Sequence, residues 1–222
     1  MYSVDNNTLE FADGSVPTYA PGTYPTVKIT RSLTANRWAT AVYPFAVSGV
    51  EGLTIANLSS YSDGALDFTS ANASTANVPF LMKSTSAKSE ISLSNVAVAA
   101  ATVTDATASE ASLKGAYTET TVGAGDGVYN YVLSENKIYK VGDNPATINP
   151  YRAYIQLTQP TSGETGEARA LTFLIDGEAT AIEGITAESS MPGKVYNLNG
   201  QRVDALTRTG LYIVNGRKVV VK

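Results

Sequence analysis

From Thr26 onward, short runs of β-forming residues recur, the best of them with apolar residues at every second position, and no 3.6-residue apolar stripe of ten or more residues interrupts them. Such runs cover 26–33, 37–47, 52–58, 64–69, 77–83, 89–99, 114–122, 127–134, 137–141, 151–158, 168–176 and 179–182, mostly separated by Gly, Asn, Asp or Pro. This spacing predicts an all-β chain, an antiparallel β-sandwich over residues 25–184. In the run from Val128 to Leu133, Tyr129, Tyr131 and Leu133 share one face and Val128, Asn130 and Val132 the other, which leaves both faces open as the core. Ser134-Glu135-Asn136 reads as a turn that returns the chain through Lys137 to Val141 as a hairpin. Residues 84–113, dominated by Ser, Ala, Thr and Val, read as small-residue strands with a short helical turn near 106–113. Residues 1–24 read as a wrapping N-terminal arm, because Pro17, Pro21 and Pro25 are spaced to block a continuous central strand.

The end of the chain, residues 185–222, carries a pattern of its own. Gly193-Lys-Val-Tyr196-Asn-Leu-Asn199-Gly200-Gln-Arg-Val203 and Gly210-Leu-Tyr212-Ile-Val-Asn215-Gly216-Arg-Lys-Val-Val-Val-Lys222 each run β-formers into Asn-Gly and out again. Asn-Gly supplies the two positive-φ residues of a tight hairpin turn, so two successive hairpins are expected. One would set Val195–Asn197 beside 201–203 and the other 212–214 beside 218–220. A lone hairpin is marginal in water, so the two must pair with each other or with the body.

These last segments resemble the C-terminal sorting tails, of the type IX secretion kind, of secreted and surface proteins of the Bacteroidetes. A second resemblance lies in the order Arg37-Trp38-Ala-Thr-Ala-Val-Tyr-Pro-Phe45, Val78-Pro-Phe-Leu-Met-Lys83, Tyr131-Val-Leu-Ser134, Tyr139-Lys-Val141, Pro150-Tyr-Arg-Ala-Tyr154 and Phe173-Leu-Ile-Asp-Gly177 with Ala179-Thr-Ala-Ile182. It looks like the uncharacterised β domain that precedes such tails, with Ala39 and Ala46 where that pattern has polar residues. The resemblance implies an extracellular or cell-surface location, secretion or cell-envelope machinery as a partner, and no transferable catalytic residue. The chain as given begins without a signal peptide, so a mature or truncated form is expected.

Composition narrows the chemistry. The 222 residues contain no Cys and no His, which closes thiolate and imidazole catalysis, disulfides and the usual zinc sites. Charged residues make up only 16% of the chain against 43% hydrophobic, as on extracellular β proteins clothed in Ser, Thr, Asn and Gly. Residues 194–222 carry six Lys/Arg against Asp204 alone, net +5, which leaves the ten basic and nineteen acidic side chains of residues 1–193 at −9. Either the basic tail docks on its own acidic body, or it is a separate module recognised elsewhere. Nucleic acid is an unfavourable partner for an acidic body, and no apolar run approaches the roughly 20 residues that span a bilayer.

The candidate sites each have a plainer reading. Trp38, the only tryptophan, could stack a sugar ring but sits in an alternating segment as a core residue would. Tyr117, Tyr129, Tyr131, Tyr139, Tyr151 and Tyr154, with Arg152 and Asn130, would make a carbohydrate-binding platform for a surface polysaccharide if they shared an exposed face. Tyr is also simply a good strand former, and that reading is favoured. Asp5-Asn-Asn with Glu10 and Asp13, and Gly123-Ala-Gly-Asp126-Gly127, lack the alternating spacing of a calcium loop and read as turns. A glycosidase-like carboxylate pair involving Asp176, Glu178 or Glu183 is the weakest candidate. The expectation is a noncatalytic exported or cell-surface β protein without cofactor or metal site. Its alternatives are a Tyr-faced carbohydrate-binding module and an adhesin component assembling through edge strands.

Overall fold

The computed structural model describes residues 8–158, 171–180 and 182, and the backbone of strands within 195–221. The chain divides into two compact units, Met1–Ile185 and Thr186–Lys222, and both are β structures; the described residues contain no helix. In the first unit the strands are β1 (Thr8–Ala12), β2 (Gly22–Leu33), β3 (Trp38–Ala41), β4 (Leu53–Ser62), β5 (Ala65–Ala71), β6 (Phe80–Ser84), β7 (Lys88–Val98) and β8 (Ala106–Ala108). There follow β9 (Ala111–Ala116), β10 (Thr120–Val122), β11 (Tyr129–Ser134), β12 (Lys137–Lys140), β13 (Ala146–Ile148), β14 (Arg152–Leu157), β15 (Thr172–Ile175) and β16 (Glu178–Ala179).

Three principal sheets arise, ordered β1-β2-β7, β16-β15-β5-β4-β6-β3 and β12-β11-β14-β9-β8. Alternation along the six-stranded sheet explains how they stack. Ile55, Phe80 and Met82 pack with Phe11, Val27, Ile29 and Ile91 of the three-stranded sheet. Their neighbours Ala56 and Leu81, with Trp38, Leu66 and Phe68, pack with Leu113, Tyr131, Ile155 and Leu157 of the five-stranded sheet. The centre of the six-stranded sheet is thus buried on both faces. A two-stranded sheet, β10-β13, places Val122 and Ile148 against Ala116, with Val132 and Tyr154 packed beside them, and so covers part of the outer face of the five-stranded sheet.

Several expectations need correction. The arm at 1–24 contains β1, which runs parallel to β2 from Thr8↔Thr26 to Ala12↔Thr30, because Leu9 and Phe11 alternate into the core. Pro25 stands inside β2 but beyond the stretch paired with β1, and the β2–β7 register passes over it between Tyr24↔Val96 and Thr26↔Ser94. The helical turn near 106–113 is instead the hairpin β8–β9, turning at Ser109 in the left-handed region, with Ala108 and Ala111 buried. The strand expected over 37–47 ends at Ala41, before Pro44, although Val42, Tyr43, Phe45 and Val47 remain core. Pairing is mostly antiparallel, with β5–β15 a second parallel pair.

The β11–β12 hairpin turns through two residues, Glu135 and Asn136, both with positive φ, and pairs Ser134↔Lys137. In the second unit, β17 (Val195–Asn197), β18 (Arg202–Val203), β19 (Gly210–Val214) and β20 (Arg217–Val221) form one sheet ordered β18-β17-β19-β20. The first hairpin pairs Val195↔Val203 as expected, the second pairs Tyr212↔Val219 and Ile213↔Lys218, one residue nearer its turn than 212–214 beside 218–220, and the hairpins pair with each other through Tyr196↔Ile213. Asn199, Gly200, Asn215 and Gly216 lie outside the described residues, as do Asp5 and Glu183.

Candidate functional site

The alternation of β2 sets Val27, Ile29, Arg31 and Leu33 on its inward side, so a cation occupies a position that the pattern reserves for an apolar residue. Arg31 is 6% exposed. It sits where the β2–β7 register shifts by one residue, between Thr30↔Glu90 and Leu33↔Lys88, and bulges of this kind re-aim side chains. Its Nη1 donates to the Thr40 carbonyl at 2.8 Å, and the Tyr43 hydroxyl is its other hydrogen-bonding neighbour. Burial pushes its pKa down from the ordinary arginine value, and nearby Arg152 opposes its charge further.

Arg152 opens β14. Its Nη2 donates to both carboxylate oxygens of Asp13, at 2.7 and 2.6 Å. Asp13 is held in the turn after β1 by its backbone N–H, which donates to the Thr30 carbonyl. Beside them Thr40 ties the middle sheet to β14: its hydroxyl donates to the Ala153 carbonyl at 2.9 Å and accepts from the Ala153 N–H at 3.0 Å. Arg31, Trp38, Thr40, Arg152 and the segments 132–135 and 146–149 enclose a cleft of about 270 Å³.

Electrically the cleft is unbalanced. Asp13 serves Arg152, and Glu135 at the rim reaches Arg37 at 3.5 Å. Asp13 acts on Arg31 only at longer range, and the guanidinium's hydrogen-bonding neighbours are neutral. A buried cation without its own counter-charge is costly. The Nε–H groups of Arg31 and Arg152 are both buried without a hydrogen-bond partner.

The six residues expected of a tyrosine platform are dispersed. Tyr131 is buried between the five- and six-stranded sheets, and Tyr151 is buried among Phe11, Tyr43 and Tyr117 on the opposite side of the middle sheet. Burial raises the Tyr151 and Tyr117 hydroxyls well above the usual tyrosine range. Tyr129 is half-buried beneath Lys140, Tyr154 is half-buried beside the β10–β13 sheet, and Tyr139 alone of the six is exposed, at 41%. Arg152 is the member of that set that reaches the cleft. Asn130 is a buried brace, donating to the Gly123 carbonyl and accepting from Gln156 Nε2. Trp38 is core, as its alternation predicts, with Lys83 Nζ 4.8 Å from its ring centroid.

Asp176, Glu10 and the Gly123 segment, among the remaining candidates, make structural contacts. Asp176 accepts from the Ser70 N–H at 2.9 Å, which holds its carboxyl below the usual range and fastens the β15–β16 turn to β5. Glu10 accepts from the Thr30 hydroxyl, and Gly123–Gly127 closes as a turn through the Gly125↔Val128 bridge. Arg31 escaped the sequence reading, although an Arg in the apolar phase of Val27, Ile29 and Leu33 was the available signal. No family model, curated protein or solved structure matches the chain.

Proposed function

We propose that the chain is a noncatalytic exported or cell-surface β protein, whose body has a structural or binding role and whose C-terminal sheet serves sorting or attachment. The observation that carries this reading is the self-pairing of the tail: β17 to β20 complete a four-stranded sheet within the unit Thr186–Lys222. A segment that satisfies its own ladder can be presented to a receptor without borrowing strands from the body. The excess of basic residues in this segment, against an acidic remainder, gives such a receptor a charge to recognise. Secretion or envelope machinery of a Bacteroidetes-type cell is the partner class that the motif suggests.

The reading is tested by deleting residues 186–222 from a signal-bearing version expressed in a Bacteroidetes host. Surface display should be lost while the remaining body keeps a cooperative thermal transition within a few degrees of the full chain. Unchanged display would overturn the sorting role, and loss of the body's transition would overturn the separation of the two units. A tyrosine-faced carbohydrate module is not favoured, since Tyr131 and Tyr151 are enclosed in separate cores.

A further inference from the structure

We infer that the cleft between Arg31, Trp38 and Arg152 is a binding site for a small polyhydroxylated carboxylate, of the size of one sugar acid. Three observations converge on the same place. Arg31 is buried without a carboxylate of its own, whereas Arg152, the other guanidinium at the cleft, already has Asp13. Both arginines keep an Nε–H that is buried from solvent and without an acceptor, so a ligand reaches it only as the side chain shifts. The two side chains border one cleft of about 270 Å³, just below the roughly 300–1,000 Å³ of pockets for drug-sized ligands, so a single ring or short acid fits and an oligomer does not.

The charge selects the ligand. Two guanidiniums against Asp13, with the lining carboxylate Glu135 matched by Arg37, leave one unit of positive charge, which a monoanion neutralises and a phosphate dianion would overshoot. A planar carboxylate also matches the guanidinium fork, whose paired N–H groups meet both oxygens. The other walls of the cleft carry Ser134, Thr147 and Asn149, which offer hydroxyl and amide groups to a ligand's own hydroxyls. Low local dielectric strengthens these contacts once the ligand has displaced water. This inference stands independently of the tail, and its failure would leave the sorting reading untouched.

Titration calorimetry of the full chain with sodium glucuronate tests it, with glucose and inorganic phosphate as comparison ligands. Fluorescence of Trp38, the chain's only tryptophan and a wall of the cleft, gives a second readout. Glucuronate should bind in the millimolar range or tighter, weaken with added salt, and exceed both comparison ligands. Arg152→Gln should weaken binding about tenfold or more, as loss of a charge-assisted contact does. Asp13→Asn should instead tighten it, because Arg152 is released and the cleft gains positive charge. That increase separates a binding cleft from a structural ion pair, whose loss can only loosen the fold. Should Asp13→Asn fail to fold, Arg152→Lys serves, keeping the charge while losing the fork, and should fall between wild type and Arg152→Gln. No glucuronate binding by the wild-type chain, equal affinity for glucose, or tighter binding of phosphate would each overturn the assignment.

Discussion

Asn136 shows how much one side chain can settle. It occupies the second turn position of the β11–β12 hairpin with φ of 58–59° in company with Asn36, and Asn is the residue that enters this left-handed region at least cost after Gly. Its Oδ1 also accepts the Trp38 N–H at 2.7 Å, so the turn of the five-stranded sheet reaches the first residue of β3 in the six-stranded one. Asn136→Gly preserves the turn and removes this bond, and is expected to cost about 1 kcal/mol. Asn136→Ala adds left-handed strain of roughly 1–2 kcal/mol and should be the worse of the two. Urea denaturation of both variants measures the difference; equal stability of wild type and Asn136→Ala would show that neither the bond nor the backbone conformation matters.

At the scale of elements, alternation made most strands readable, and the Asn-Gly dipeptides announced the two tail hairpins but not the register of the second. What remained hidden depended on neighbours far away in sequence. The helical turn expected near 106–113 fails because Ala106 finds Leu113 across a two-residue turn and buries its small neighbours under a layer that no local pattern announces. Likewise β1 was obscured by prolines that turn out to lie in the connection or past its pairing. Arg31 was legible in principle, since its place in the inward phase of β2 is visible in the sequence, but its partners come from Thr40 and Tyr43. In the sequence Arg152 reads as a polar partner of a tyrosine face, whereas its ion-pair partner is Asp13, 139 residues away.

The close approach of layers gives an element-scale prediction. Gly115 in β9 stands where an added Cβ would lie 3.0 Å from both Pro79 Cγ and Val42 Cγ1, and 3.1 Å from Val103 Cγ1. These are short contacts to side chains from three segments, with no flexible end to yield. Gly115→Ala should therefore cost roughly 1–3 kcal/mol by overpacking, against the modest gain that Gly→Ala brings in an open strand. Thermal and urea unfolding should both show the loss. A stabilised Gly115→Ala variant would mean that β9 lies farther from these side chains.

For the whole molecule, the organising fact is a sheet with two cores. The faces of β4 and β6 both meet apolar side chains, and each strand is hydrogen-bonded on both sides, β4 between β5 and β6, and β6 between β4 and β3. Aromatic packing reinforces each side separately: Tyr43 stacks on Phe45 and Tyr151 in one core, and Phe68 stacks on Phe173 in the other. Arg31 belongs to the first layer but bonds to Thr40 of the middle sheet, and Thr40 bonds to Ala153 of the third. The cleft is therefore built where hydrogen bonds tie all three layers together, and its rigidity follows from theirs.

Native-state hydrogen exchange resolved along the chain tests this layered arrangement most directly. Amides of β4 and β6 should exchange slowest, near the free energy of global unfolding, while the edge strands β8 and β12 open more readily. Exchange from β4 and β6 as fast as from β8 and β12 would contradict the account, because central strands covered on both faces open after the edge strands of the neighbouring five-stranded sheet.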